Sequence, residues 1–162
     1  PIAIRFARGV AFPEIKEDIN LQYGKGQILK EGSKDGNNAG GNVAIIAVGS
    51  MVEETYKAID MLEKENVHPA FVNPVFIKPM DTELIKRVAE NHKHIIVVEE
   101  GIKKGGFGES VETFILESGI DADVQVMAID DRFVEQGNVA LLREEIGISY
   151  KNIYEKVMEL TR

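Results

Sequence analysis

The chain has no cysteine, which excludes disulfides and thiolate metal sites and makes a reducing compartment, the cytoplasm, the expected location. It has no basic tract: 19 Lys and Arg stand against 27 Asp and Glu, a formal net charge of -8. That balance supports solubility and argues against nonspecific attraction to nucleic acid. No apolar run approaches the roughly 20 residues that span a bilayer, and no basic-then-apolar signal opens the chain, so no membrane association is expected. Histidine is scarce. His68, His92 and His94 are the only ones; no two lie one helical turn apart, and no metal site is expected from them. Ser50 follows a glycine but lacks the G-x-S-x-G setting of an elbow nucleophile.

What is present suits one well-buried core, with 162 residues of which 44% are hydrophobic. Ile2 to Phe6 alternates like a strand with one buried face, with Ala7, Arg8 and Gly9 as its exit loop. A lone strand needs a sheet, and residues 10–25 mix Pro13, charges and scattered apolar side chains like a surface connector. The expected organisation is therefore 1–9 as the tail of a preceding domain, 10–25 as linker and 26–162 as the main domain. Opening on Pro1 rather than Met, inside a strand-like run, predicts a piece of something longer.

Gln27 to Glu31 reads as a short strand joined through the tract Gly32 to Asn42, a hairpin tip, to Val43–Val48. With no crossover helix between them, these two strands are expected to pair antiparallel, the first on the sheet edge. Strand and helix patterns then alternate. Ser50 and Glu53 form a capping-box pattern ahead of Val52, Tyr56, Ile59 and Leu62, one helix face ending near Asn66. Ala70–Asn73 is the next strand, and Asp81 caps a helix burying Leu84, Ile85, Val88 and Ala89. Ile95–Val98 is a strand covered on both faces, ending at Glu99-Glu100-Gly101. A helix from Phe107 buries Val111, Phe114 and Ile115 and stops at Gly119. Val124–Ile129 is the last strand. Val139, Leu142 and Ile146 mark a short helix closed by Gly147, and Tyr150, Ile153, Val157 and Leu160 mark a final one. The expected fold is α/β: a three-layer α/β/α sandwich with a mostly parallel five-stranded sheet and one antiparallel edge strand.

In such sheets ligands meet the loops at the carboxyl ends of the strands, here Gly49-Ser50, Asn73, Glu99 to Gly108 and Asp130 to Gln136. Gly105, Gly106 and Gly108 precede a helix, where free N–H groups and the helix dipole can hold a phosphate. The same glycines also let a helix fold tightly back onto its strand, with Glu109 in the favourable first turn. The loop lacks both the G-x-G-x-x-G and Walker A spacings, and acidic residues precede it, which favours tight packing. The pairs Glu99-Glu100 and Asp130-Asp131 could face each other as an acid/base or magnesium site, or could cap backbone and pair with Lys103 and Arg132. Phe133-Val134, an apolar pair in a polar loop, suggests docking onto another surface.

Several runs taken in order carry a resemblance: RFARG from Arg5, GKG from Gly24, AVGSM from Ala47, VNPVFIKPMD from Val72, VEEG from Val98, GGFG from Gly105 and DRFVEQG from Asp131. Together they resemble the C-terminal part of the 1-deoxy-D-xylulose-5-phosphate synthase family over nearly the whole chain. The EEG and GGxG runs are shared with the wider transketolase C-terminal domains, including 2-oxoacid dehydrogenase β-subunits. DRFVEQG and its spacing from GGFG are specific to the synthases. The resemblance implies a transketolase-type transferase that uses thiamine diphosphate and magnesium to decarboxylate pyruvate and join the two-carbon unit to glyceraldehyde 3-phosphate, feeding isoprenoid and thiamine biosynthesis. It implies that the cofactor and the activating glutamate belong to domains upstream of Pro1, the nearer of them pyrimidine-binding. This chain would then hold no cofactor or catalytic residue, would be inactive alone, and would support domain packing and a homodimer. One family substrate residue maps here. The strand-exit arginine that binds the aldehyde's phosphate corresponds to Arg8, although the motif's usual tyrosine and proline are Phe6 and Ala7. Two other readings stand beside this one: a C-terminal domain of a related transketolase or 2-oxoacid dehydrogenase β-subunit, and a stand-alone module holding a phosphorylated ligand at Gly105 to Gly108.

Overall fold

The computed structural model describes residues 1–6, 21–33 and 40–161. Arg8, residues 7–20 of the expected tail and linker, and 34–39 of the glycine-rich tract lie outside them. Strands β1 (Gln27–Lys30), β2 (Val43–Ala47), β3 (Ala70–Asn73), β4 (His94–Ile102) and β5 (Asp123–Ile129) form one sheet in the order β1-β3-β2-β4-β5. β2, β3, β4 and β5 run parallel and β1 antiparallel. The helices are α1 (Met51–Lys64), α2 (Thr82–Asn91), α3 (Phe107–Glu117), α4 (Val139–Glu145) and α5 (Tyr150–Leu160).

The pleat sorts the core into two halves. Successive strand side chains point to opposite faces, so Val43, Ile45, Ala47, Ile96 and Val98 join α1 and α5 on one side. Ala44, Ile46, Ile95 and Val97 join α2 and α3 on the other. This is the expected three-layer sandwich. All five residues of β2 are fully buried, because parallel strands lie on both its edges and helices on both its faces. Each fully buried Ile or Leu adds about 1.5–3 kcal/mol to stability.

Four features differ from the sequence-based reading. β1 is the antiparallel edge strand, but its partner is β3 and not β2: Gln27 lies opposite Asn73 and Ile28 opposite Val72. Both edges of β2 are already taken by β3 and β4, and the half-buried QILK strand suits an edge. Second, residues 1–6 form no strand, and Ile2, Ile4 and Phe6 are 78%, 81% and 85% exposed; an alternating strand buries its face only when a sheet supplies one. Third, β4 continues through Glu99, Glu100 and Gly101 to Ile102, with its register against β5 shifting after Val98. Last, α4 buries none of its residues, and Val139, expected on its inner face, is 56% exposed.

Helix starts follow local chemistry. Asp81 accepts the Leu84 N–H at 3.2 Å, as its capping position predicts. It also accepts the Gly26 N–H at 3.1 Å and the Lys25 ammonium at 3.2 Å, which docks the entry to β1 against α2. A Cβ on Gly26 would sit 2.6 Å from Leu84 Cδ2 and 3.1 Å from the Asn73 carbonyl oxygen, so any larger residue would have to displace Leu84. Ser149 and Asn152 cap α5 reciprocally.

Thr55 of α1 is fully buried and its hydroxyl has no hydrogen-bond partner among the described residues. Valine keeps the β-branched shape without the unpaired polar atom. Thr55→Val is therefore expected to raise unfolding stability by about 1 kcal/mol, read as a higher urea midpoint at unchanged slope; a lower midpoint would mean the hydroxyl is satisfied.

Candidate functional site

The chain leaves β2 through α1 for β3 on one side, and later returns through α2 to β4 on the other. The carboxyl ends of β2 and β4 are thus the point where strand order reverses, the usual ligand crevice of a doubly wound sheet. Gly49-Ser50 and Glu99-Glu100 meet there.

Adjacent residues on a strand face opposite ways, and the two glutamates are used accordingly. Glu99 continues the Val97 side and turns into the start of α3, accepting the Phe107 N–H at 3.1 Å and the Gly108 N–H at 2.7 Å. It is 6% exposed. The helix start considered for a phosphate is thereby occupied by the protein's own carboxylate. The glycines allow that approach: a Cβ on Gly106 would lie 2.4 Å from the Ile102 carbonyl oxygen, and one on Gly108 would lie 2.4 Å from Val126 Cγ1. Glu109 accepts the Gly105 N–H. The geometry favours tight packing over anion binding, since a phosphate would meet Glu99 instead of free amides.

Glu100 continues the Val98 side. Arg143 donates to both its oxygens, Nε to Oε1 at 3.1 Å and Nη2 to Oε2 at 3.2 Å, while Ser50 Oγ donates to Oε2. Arg143 Nη1 also reaches Glu54 Oε1 at 3.4 Å, and Glu54 Oε2 accepts the Tyr150 N–H at 2.9 Å at the start of α5. Burial pushes the Glu100 carboxyl up, but the bonds from Arg143 and Ser50, with Arg5 further off, outweigh it and hold the group below its usual range. Burial likewise depresses the Arg143 guanidinium, and Glu100 more than offsets this, so its pKa is raised. Both ends of the pair are therefore charged at neutral pH.

This corrects the expected role of Ser50. Its backbone is already helical and its side chain accepts no cap bond from α1; the hydroxyl instead donates to Glu100 across the strand end. The partner of Glu100 is Arg143 instead of the suggested Lys103 or Arg132. Nothing in the LLREE run marks Arg143 as the partner of a glutamate 43 residues away. Asp130 and Asp131 are exposed and do not join Glu99-Glu100. They border a shallow cavity of about 230 Å³ with Lys103, Lys104 and Glu109. The histidines make separate contacts: His92 with the Val88 carbonyl, His94 with Asp123, His68 with Asn66. Among the described residues no three His, Asp or Glu side chains are grouped to hold a metal. Phe133 is fully exposed and Val134 partly so.

These features define a three-layer, doubly wound α/β domain whose ligand crevice is closed by its own ion pairs. Residues 30–153 match the family described as transketolase, C-terminal domain, and the chain belongs to that family. It is 36% identical over 99% of its length to 1-deoxy-D-xylulose-5-phosphate synthase of Dehalococcoides mccartyi strain 195 and covers 24% of that protein. It is 37% identical over 97% of its length to the synthase of Alkaliphilus oremlandii, again covering 24%. The chain thus spans about a quarter of the length of these relatives. Among solved structures, a split gene transketolase described as an inactive beta4 tetramer superposes with a TM-score of 0.76 at 28% identity, over 90% of this chain and 46% of that one.

Removing the Glu99 carboxylate leaves two buried N–H groups unpaired. Glu99→Ala is expected to cost about 1–3 kcal/mol in chemical denaturation, and Glu99→Gln less, because the amide keeps one acceptor oxygen. Equal stability of all three proteins would show that the α3 start does not depend on this residue.

Proposed function

We propose that this chain is the C-terminal domain of a 1-deoxy-D-xylulose-5-phosphate synthase, a thiamine-diphosphate-dependent transferase that condenses pyruvate with glyceraldehyde 3-phosphate and releases CO2. The observation that carries this reading is similarity to such synthases along almost the entire chain, beside the resemblance of the DRFVEQG run. On this reading residues 1–9 close the preceding pyrimidine-binding domain, 10–25 link, and 26–162 form the transketolase C-terminal-like domain of a cytoplasmic homodimer. No helix among the described residues is long and apolar enough to cross a membrane.

The described residues do not fit thiamine diphosphate or magnesium. The glycine-rich helix start that could take a diphosphate is filled by Glu99, and no ligating cluster for the ion accompanies it. The cofactors belong instead to the upstream domains, and this domain buttresses them through exposed apolar surface at Phe133-Val134. A second reading, a β-subunit domain of a related transketolase, draws on the split gene transketolase neighbour. The donor substrate separates the two: the synthase requires pyruvate.

Two measurements test the proposal. Calorimetric titration of the isolated chain with thiamine diphosphate and magnesium is expected to give no binding; a low-micromolar affinity would overturn the reading. In the full-length enzyme, Arg8→Ala is expected to raise KM for glyceraldehyde 3-phosphate and lower kcat/KM for it roughly 10- to 150-fold, the loss of one charge-assisted contact. The parameters for pyruvate should change much less. Equal effects on both substrates, or a larger aldehyde-specific effect from Arg5→Ala, would move the phosphate contact away from Arg8.

A further inference from the structure

We propose that residues 130–147 form a hinged strap beside the switch-point crevice, latched by Arg143 on Glu100 and Glu54, and that releasing this latch exposes Ser50 and Glu100 further without unfolding the sheet. The strap begins where β5 ends and finishes at Gly147, whose φ of 82° makes a sharp turn before Ile148, a fully buried residue of the core. Between these fixed ends, residues 130–141 are all exposed and α4 contributes no buried side chain. Leu142 and Ile146 are only half-buried. Such a segment has little apolar burial of its own to hold it down, so it belongs to the low-stability end of the molecule.

Arg143 supplies the attachment that burial does not. Its side chain is 15% exposed and spans from α4 to the end of β4 and the first turn of α1. The two bonds to Glu100 have the fork geometry that sets an arginine's orientation as well as its position. Beneath it lies the place where a doubly wound sheet receives ligands, holding a hydroxyl and a carboxylate that face each other. With the latch closed, the Glu100 charge is paired and its side chain is 32% exposed. With it open, the crevice is acidic and accessible, and the Phe133 tip moves with the strap.

Hydrogen exchange on the full chain tests this. In Arg143→Met, which keeps the aliphatic reach and removes the charge, amides of residues 130–147 are expected to exchange about 10- to 150-fold faster, the range set by one charge-assisted contact. Amides of β2, β3 and β4 should keep their protection. Glu100→Gln should act on the same segment, and the double variant should be no worse than the more severe single one, because both remove one interaction. Lys151→Met is the control: it breaks the other tie of α4 to the body, between Glu144 and Lys151 of α5, but that pair is exposed on both sides and worth little, so the strap should stay unchanged. Unaltered exchange in 130–147, or a rise spread evenly over strap and sheet, would overturn the latch. No catalysis is measured, so its failure leaves the synthase reading untouched.

Discussion

The two carboxylates at the end of β4 hold the layers of this domain together. Consecutive on a strand, Glu99 and Glu100 leave it in opposite directions, so one carboxylate serves each helical layer. Glu99 closes the N-terminus of α3; Glu100, through Arg143, joins α4 to the body and lies one arginine away from Glu54, which in turn holds the start of α5. Burying a carboxylate is costly unless its oxygens are satisfied. Here the satisfying groups come from different elements, which makes their mutual placement a condition for keeping the charge buried.

Among the described residues, the usual ligand position of this fold is occupied by the protein's own side chains. At the α3 start, the amides and helix dipole that could hold an anion already hold a carboxylate. At the reversal point between β2 and β4, a guanidinium fills the crevice. Removing Glu99 would leave buried amides unpaired, and removing Glu100 would leave the 15%-exposed Arg143 guanidinium short of its main partner. Apolar side chains outside the core, among them Phe133, Leu116 and the Ile2–Ile4–Phe6 row, face outward. The synthases that the domain is similar to are about four times longer than this chain.

Much of the architecture was legible because it rests on local repetition. The Ile95–Val98 run, the spacing of Leu84, Ile85, Val88 and Ala89, and Asp81 ahead of α2 each signal their element within a few residues, and all take the expected form. The motif runs that resemble the synthases are likewise contiguous. Where inference failed, the deciding partner was remote. Ser50 resembled a cap because Glu53 is near in sequence, but the hydroxyl bonds Glu100, 50 residues away. Arg143 lies 43 residues from Glu100 and 89 from Glu54.

From Gln27 onward the sequence by itself determined the order and type of the elements, the α/β class, the antiparallel edge strand and the family, since hydrophobic period, turn residues and motifs are properties of short stretches. Tertiary structure alone decided that β1 joins β3, that the glycine loop closes on Glu99, and that Glu100 and Arg143 seal the crevice. Strand neighbours depend on which edge remains unpaired once the sheet assembles, and ion-pair partners depend on distances that exist only after the chain has crossed over itself. Neither quantity is written in the spacing of residues along the chain.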